Sequence, residues 1–366
     1  MVVIRDRERT LGEILATRGD FVGAGTAVDW QEAMRRAIRR GDQLLRRLGL
    51  AGSGDGEVGG LTAAERDFPT FVPLEFLGRM RPGDPDDPLL LQVVPRAIET
   101  EPQPGFVGDP VGDTAARISP GLLQKYEGRA LVIATGVCGV HCRYCFRRQY
   151  DYHDTFSEST SANGSHSSPG GTIDEAAMVR RLRQDRSIDE VILSGGDPLT
   201  LGDPRLDRLL AAIESVPHVR RLRVHSRMPI VIPQRVTESL IQRLQVSRLA
   251  TWMVVHCNHA QEIDAAVTAA LARMVDAGIP VLNQAVLLAG VNDSAAALES
   301  LCRELVDRRV QPYYLHQLDR ISGAAHFEVP VSRGLELIEQ LRGRLPGYAV
   351  PVYVSEVAGA ASKLPN

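Results

Sequence analysis

Short apolar runs of strand length alternate with amphipathic stretches of helical length from about residue 130 onward. The runs at 131–135, 190–193, 221–225, 251–256, 280–287 and 311–316 predict strands, and the stretches at 174–186, 205–216, 237–246, 261–277 and 294–308 predict helices between them. The first helix opens with a capping box, Thr172 to Glu175. Such alternation predicts an α/β fold in which helices wrap a parallel sheet, and six βα units suit a partial (β/α)6 barrel better than a closed one of eight. A last helix at 332–343 and a short strand at 350–354 precede a tail of small residues carrying Lys363, with the composition of a mobile segment.

Upstream the pattern differs. Amphipathic pieces at 30–48 and 62–80, separated by Gly- and Pro-rich punctuation at 51–60 and 82–88, predict a helical N-terminal region. The expected organisation is therefore a helical region over 1–115, the barrel over 116–330 and a C-terminal helix, strand and tail over 331–366. A Ser- and Gly-rich run at 157–171 reads as a flexible surface insertion.

Composition narrows the function. With 44% hydrophobic and 24% charged residues over 366 positions, the chain is an ordinary globular protein. A net charge of −3 leaves no basic excess to neutralise phosphates, which argues against a general nucleic-acid binder. No apolar run reaches the ~18 residues of a membrane span, and the segment from Met1 to Arg9 is too charged for a signal-peptide core. Five cysteines, three of them clustered, fit a reducing cytoplasm better than a disulfide framework. Lysine is nearly absent, so only Lys125 and Lys363 can supply an amine where chemistry needs one.

In a parallel barrel, reactive groups gather where strands end. The first predicted strand leads to Cys138, Cys142 and Cys145, and the second to Ser194, Gly195, Gly196 and Asp197. The third ends at His225-Ser226-Arg227 and the fourth at His256-Cys257-Asn258-His259. The fifth carries Asn283 and Gln284, and the sixth leads from His316 to Asp319. Three closely spaced thiols can share one inorganic centre and leave a coordination position open. A zinc site is the alternative; it needs a fourth ligand, for which His141 or His153 is near in sequence. Cys257 and Cys302 read as small buried residues. The Gly195–Gly196 turn lets backbone approach a ligand closely, since glycine lacks a Cβ.

The Cys-x-x-x-Cys-x-x-Cys run after one strand and Ser-Gly-Gly-Asp after the next resemble the radical S-adenosylmethionine superfamily. The segments Tyr144 to Arg148, Lys125 to Arg129, Val255 to His259, Leu282 to Gln284, Pro312 to His316 and Gly323 to Phe327 narrow the resemblance to lysine 2,3-aminomutases, over about residues 72–363. Gly83 to Leu90 and the short C-terminus resemble the branch that makes (R)-β-lysine for attachment to translation elongation factor P.

That resemblance implies an isomerase with three cofactors. Cys138, Cys142 and Cys145 would hold a [4Fe–4S] cluster, while Ser194, Gly195, Gly196, Asp197, His256 and Gln284 would face S-adenosylmethionine. Lys363 would carry pyridoxal 5′-phosphate covalently as the catalytic lysine, with Lys125, Tyr126 and Arg129 at its phosphate. Arg147 would grip the carboxylate of L-lysine, and Asp319 and Glu356 its distal ammonium. The implied partners are the elongation factor P β-lysine ligase, which would take the product, and a low-potential electron donor such as flavodoxin. Three other readings stay open: a metabolic lysine 2,3-aminomutase, a mutase for another amino acid, and a zinc-stapled binding protein without catalysis.

Overall fold

The computed structural model describes residues 28–50, 63–157 and 173–366. All of the Ser- and Gly-rich run except Ser157 lies outside the described residues, as do Thr172 and the stretch 51–60. One ten-stranded sheet runs through the chain in sequence order. Its strands are β1 (Arg117–Ser119), β2 (Leu122–Leu123), β3 (Arg129–Thr135), β4 (Glu190–Gly195), β5 (Arg221–Ser226), β6 (Ala250–His256), β7 (Val281–Val286), β8 (Gln311–His316), β9 (Val352–Ser355) and β10 (Leu364–Pro365). From β3 to β9 every neighbouring pair is parallel. The pairs β1–β2, β2–β3 and β9–β10 are antiparallel. Among the described residues the ends of the strand order do not pair with each other, which makes the barrel a partial one.

All six predicted strands form, and each lies within a residue or two of its expected bounds. The C-terminal strand joins the same sheet as a seventh parallel member, with Tyr314 opposite Val352 and His316 opposite Val354. Short helices at Trp30–Arg36, Gly41–Arg47, Leu74–Leu77 and Pro88–Leu91 make up the N-terminal region, and the longer helices that follow are α1 (Glu175–Gln184), α2 (Asp203–Glu214), α3 (Glu238–Gln245), α4 (Ala265–Asp276), α5 (Ala295–Val306) and α6 (Val331–Arg342). Side-chain caps start four of them: Asp174, Thr237, Asp264 and Ser294 accept from Ala177, Leu240, Val267 and Ala297 backbone N–H groups at 2.8–3.2 Å. Each cap is worth about 1 kcal/mol. Asp174, not Thr172, is thus the N-cap of α1, its carboxylate accepting from the third amide of the helix.

Alternation along each strand decides what faces the helices and what faces the hollow. On β5, Leu222 and Val224 are buried under the helices, whereas Arg223 and His225 face the concave side. On β7, Leu282, Gln284 and Val286 alternate with buried Val281, Asn283 and Ala285. The apolar set packs against the helices in one continuous core. Among the described residues no helix is long and apolar enough to cross a membrane.

The N-terminal region braces the cysteine-bearing loop from below. His141 and Arg143 donate backbone N–H groups to the Phe71 and Gln92 carbonyls at 3.0 and 2.8 Å. The Arg143 guanidinium is fully buried on the Glu99 carboxylate, with its Nη1 on the Phe68 carbonyl at 2.6 Å. Arg148 shares the same carboxylate at 2.8 Å. Removing Glu99 would strand two buried cations, a loss on the order of 3–5 kcal/mol.

Candidate active site

Side chains from the concave face and the strand ends enclose a cavity of about 330 Å³. Arg129, Ile192, His225, His256, Gln284 and His316, one from each of β3 to β8, reach it, as only a curled sheet allows. Every cluster, cofactor and substrate residue nominated from the sequence lines this cavity. Cys257 and Cys302 are buried elsewhere, as expected.

Cys138, Cys142 and Cys145 follow β3 on a loop held at both ends. Burial pushes the Cys138 thiol well up and Cys145 to about 11, so a thiolate in this place needs a cationic centre beside it. Neither His141 nor His153 lines the cavity, and His141 Nδ1 is 2.7 Å from the Pro69 carbonyl. Among the described residues no three His, Cys, Asp or Glu side chains converge on a single-ion position. The thiols border a space rather than a point, and three soft donors round a space suit an iron–sulfur unit.

The glycine turn lines the cavity and also packs against the cysteine loop. At Gly195, with φ +117°, an added Cβ would lie 2.7 Å from the Thr135 carbonyl, and at Gly196 2.4 Å from that of Val137. Gly196 and Asp197 donate backbone N–H groups to the same two carbonyls at 2.7 Å. The close approach these glycines permit is to the cysteine loop itself. The Asp197 carboxylate is engaged by Ser226 Oγ and by the amides of Leu199, Arg227 and Met228, at 2.7–3.1 Å. It ties β4 to β5, and burial pushes it up to about 6 against those donors.

In the same cavity stands a neutral imidazole set that the sequence only half revealed. Burial lowers His256 and His316 to about 3 and His225 well below the usual value. Gln284 Nε2 is 2.9 Å from His256 Nε2. His225 Nε2 and His316 Nε2 are buried without a partner among the described residues, as is Arg227 Nε. All three residues line the cavity, so orphaned polar atoms surround it as a polar cofactor would require.

A chain of charges runs from the cysteine loop to Lys363. Arg147 Nε meets Asp113 at 2.6 Å, Asp113 meets Lys125 at 2.7 Å, Lys125 meets Glu356 at 2.8 Å, and Glu356 meets Lys363. Arg147 Nη1 also donates to Ser194 Oγ at 3.1 Å. Burial would raise Glu356, but Lys363 and Lys125 outweigh it and hold the carboxyl at about 2. Asp319 goes the other way, to about 7, through burial and then its neighbour Glu356. Among the described residues no hydrogen bond or ion pair engages the Asp319 side chain. Tyr126 stacks with Arg129 at 5.2 Å, and burial keeps it a neutral phenol.

Lys363 is not on a loose tail. After Gly359, at φ +80°, the chain returns as β10, pairing Leu364 with Ser355 and Pro365 with Val354. Asn366 adds a backbone bond to Tyr353 at 3.0 Å and accepts from Ser355 Oγ at 2.8 Å. The sequence also gave no signal for Asp113, which sits in a loop before β1, and only a positional one for His225, His316 and Arg227 at strand ends. Arg223, bridged to Glu190 at 3.1 Å, adds an unpredicted cation to the cavity.

No family profile matches the chain. It is 40% identical to the L-lysine 2,3-aminomutase of Escherichia coli (strain K12) over 339 residues, covering 92% of this chain and 94% of that protein. With the L-lysine 2,3-aminomutase of Clostridium subterminale it shares 34% identity over 92% of this chain and 77% of that one. Among solved structures, a radical SAM methyltransferase from Sphaerobacter thermophilus aligns with a TM-score of 0.44 at 20% identity, over 65% of this chain and 71% of the other.

Proposed function

Because the chain belongs to the L-lysine 2,3-aminomutase family, we propose that it is an isomerase that moves the α-amino group of L-lysine to the β-carbon. One observation carries this reading: a single cavity holds three thiols on one wall and Lys363 on another, with Arg147 and the Asp319–Glu356 carboxylates also lining it. When bound, a [4Fe–4S] cluster with S-adenosylmethionine supplies a hydrogen-abstracting radical, and pyridoxal phosphate supplies a π-system that spreads an unpaired electron.

The chain's own part is holding and orienting. Cys138, Cys142 and Cys145 ligate the cluster. Ser194, Gly195 and Gly196 form the turn beside it, which Asp197 braces, and with His256 and Gln284 they receive S-adenosylmethionine. Tyr126 and Arg129 offer a phenol and a cation to the phosphate. Lys125 joins them only by leaving one of its two carboxylates, since Asp113 and Glu356 both hold it in the structure. Lys363 supplies the amine that anchors the pyridoxal.

Substrate recognition follows from charge. The Arg147 fork takes the α-carboxylate, in the planar geometry a guanidinium favours. Asp319, unpaired, takes the distal ammonium together with Glu356. Fixing both ends of an aliphatic chain sets its α- and β-carbons in one place, which is where the rate advantage of such a site lies. Apolar walls at Leu123, Leu131 and Ile192 keep water and stray hydrogen donors away. The product is (R)-β-lysine for the elongation factor P ligase, with the electron coming from a flavodoxin-type donor. Support for that destination is the likeness of Gly83 to Leu90 to the branch that serves elongation factor P.

Anaerobic incubation with L-lysine, S-adenosylmethionine, pyridoxal phosphate and dithionite, followed by chiral chromatography, tests this. (R)-β-lysine is expected. Conversion of a different amino acid with lysine untouched would defeat the substrate assignment. Adding elongation factor P and its ligase should place the product on that protein, and failure there with β-lysine present would return the chain to a metabolic role.

A further inference from the structure

We propose that Arg227 sets the reduction potential of the iron–sulfur cluster by donating a hydrogen bond to one of its cysteine ligands. The inference rests on the cluster reading above and deepens it. Arg227 follows β5 directly, and its backbone N–H donates to Asp197 at 2.7 Å. Its side chain is only 7% exposed, and protein groups hold both terminal nitrogens of the guanidinium.

The two ends of the guanidinium have different tasks. Nη2 donates to Gln92 Oε1 at 2.6 Å and to Glu262 Oε2 at 3.0 Å. Glu262 is fully buried and also accepts from Gln92 Nε2 and the amides of Asn258 and His259, at 3.0–3.2 Å. Phe76 lies under the guanidinium carbon at 5.4 Å. This end is pinned. Nη1 donates to the Tyr144 hydroxyl at 2.7 Å and to Cys142 Sγ at 2.7 Å. The fork therefore holds a cationic N–H against one sulfur, while Glu262, which balances the charge, bonds the opposite nitrogen.

A cluster gains one negative charge when an external reductant adds an electron, and no bond breaks. A fixed N–H dipole and positive charge at a ligand sulfur stabilise that added charge, more so in a dry interior, and raise the potential. A purely structural role for Arg227 is poorly motivated. The cysteine loop is already fastened by Gly196 and Asp197 on one side and by Arg143 on the other.

Arg227→Lys and the double variant Arg227→Met with Glu262→Gln separate these roles, the second removing the buried charge from both partners. Each is reconstituted anaerobically with iron and sulfide beside the wild-type chain and titrated with dithionite, following the reduced-cluster EPR signal. Iron content near wild type is expected, with a lower potential. In the double variant the reduced-to-oxidised ratio at fixed solution potential should fall about tenfold, the scale of one charge-assisted hydrogen bond and ~59 mV for a one-electron couple. Arg227→Lys should shift in the same direction by less. An unshifted potential with iron intact overturns the proposal. Loss of iron from both variants also overturns it and makes Arg227 a brace for the loop. A wild-type chain that takes up no cluster defeats the cluster reading itself, and this inference with it.

Discussion

The two walls of the cavity are built in different ways. On the cysteine wall, the supporting groups Asp197, Arg227 and Glu262 are buried and fixed from several directions by long elements. Asp197 accepts four donors, Glu262 sits at the centre of a saturated network, and the N-terminal region holds the loop from below. On the lysine wall, the groups are charged and paired in a line, and the last of them hangs on a strand of two residues. Side-chain exposure there reaches 18% at Lys125 and 23% at Lys363, against 0% at Glu262 and 7% at Arg227. A wall that must keep an electron-transfer centre unchanged is over-determined. A wall that must release an amine and admit a charged substrate is held by ion pairs that can exchange partners.

The sharpest way to break the comparison is Cys142→Ala. Iron should fall from about four per chain to well below that, and turnover to background. A full iron complement would remove Cys142 from the cluster. On the other wall, Lys363→Ala should leave iron intact yet abolish the absorbance of covalently held pyridoxal and reduce turnover to background. An unchanged spectrum would move the attachment to Lys125. If either substitution disturbed the other wall's signature equally, the two walls would not be independent.

Asp113→Asn comes next, because it takes the carboxylate from Arg147 and one of two carboxylates from Lys125. Thermal denaturation should show a loss of about 3 kcal/mol, accompanied by a rise in KM for lysine. A stability loss with KM unmoved would make Asp113 purely structural.

Asp319→Asn should raise KM for lysine at least about tenfold with less change in kcat. The wild-type pH profile sharpens this. A carboxyl raised to about 7 by burial and then by Glu356 is neutral below that pH and anionic above it. Lysine affinity should therefore improve as pH rises through about 7, and the variant should lose that slope. The stability terms have opposite signs. Asp319 contributes stability at low pH that is lost as pH rises through about 7, whereas Glu356 contributes stability above 4.5 that is lost as pH falls toward about 2.

Deleting Asn366 is the mildest change. It removes two hydrogen bonds from β10 and should loosen the tail by about 1 kcal/mol in hydrogen exchange, leaving the cysteine wall unchanged.

The same contrast explains what the sequence disclosed. The strand pattern and the six strand ends were legible because period-two burial and apolar runs are local signals, and the cysteine spacing is local too. Most nominated site residues converge because parallel strands deliver their C-terminal ends to one face, while Lys125, Tyr126 and Arg129 come from the start of β3 or just before it. The lysine wall was harder to read. A two-residue strand has no periodicity, so the tail of Lys363 looked mobile although β10 fixes it. Asp113 lies in a loop whose partners are 12 and 34 positions away, at Lys125 and Arg147, and no spacing rule connects them. The glycine turn was located correctly, but its close neighbour is the cysteine loop, a contact between two strand ends that only the sheet reveals.

The most direct test of the whole account is spectroscopic. Anaerobically reconstituted protein is reduced, and its EPR spectrum is recorded before and after adding S-adenosylmethionine. Coordination at an iron left free by Cys138, Cys142 and Cys145 predicts a clear change in the signal of the reduced cluster. A spectrum that stays the same on saturation with the sulfonium would contradict it.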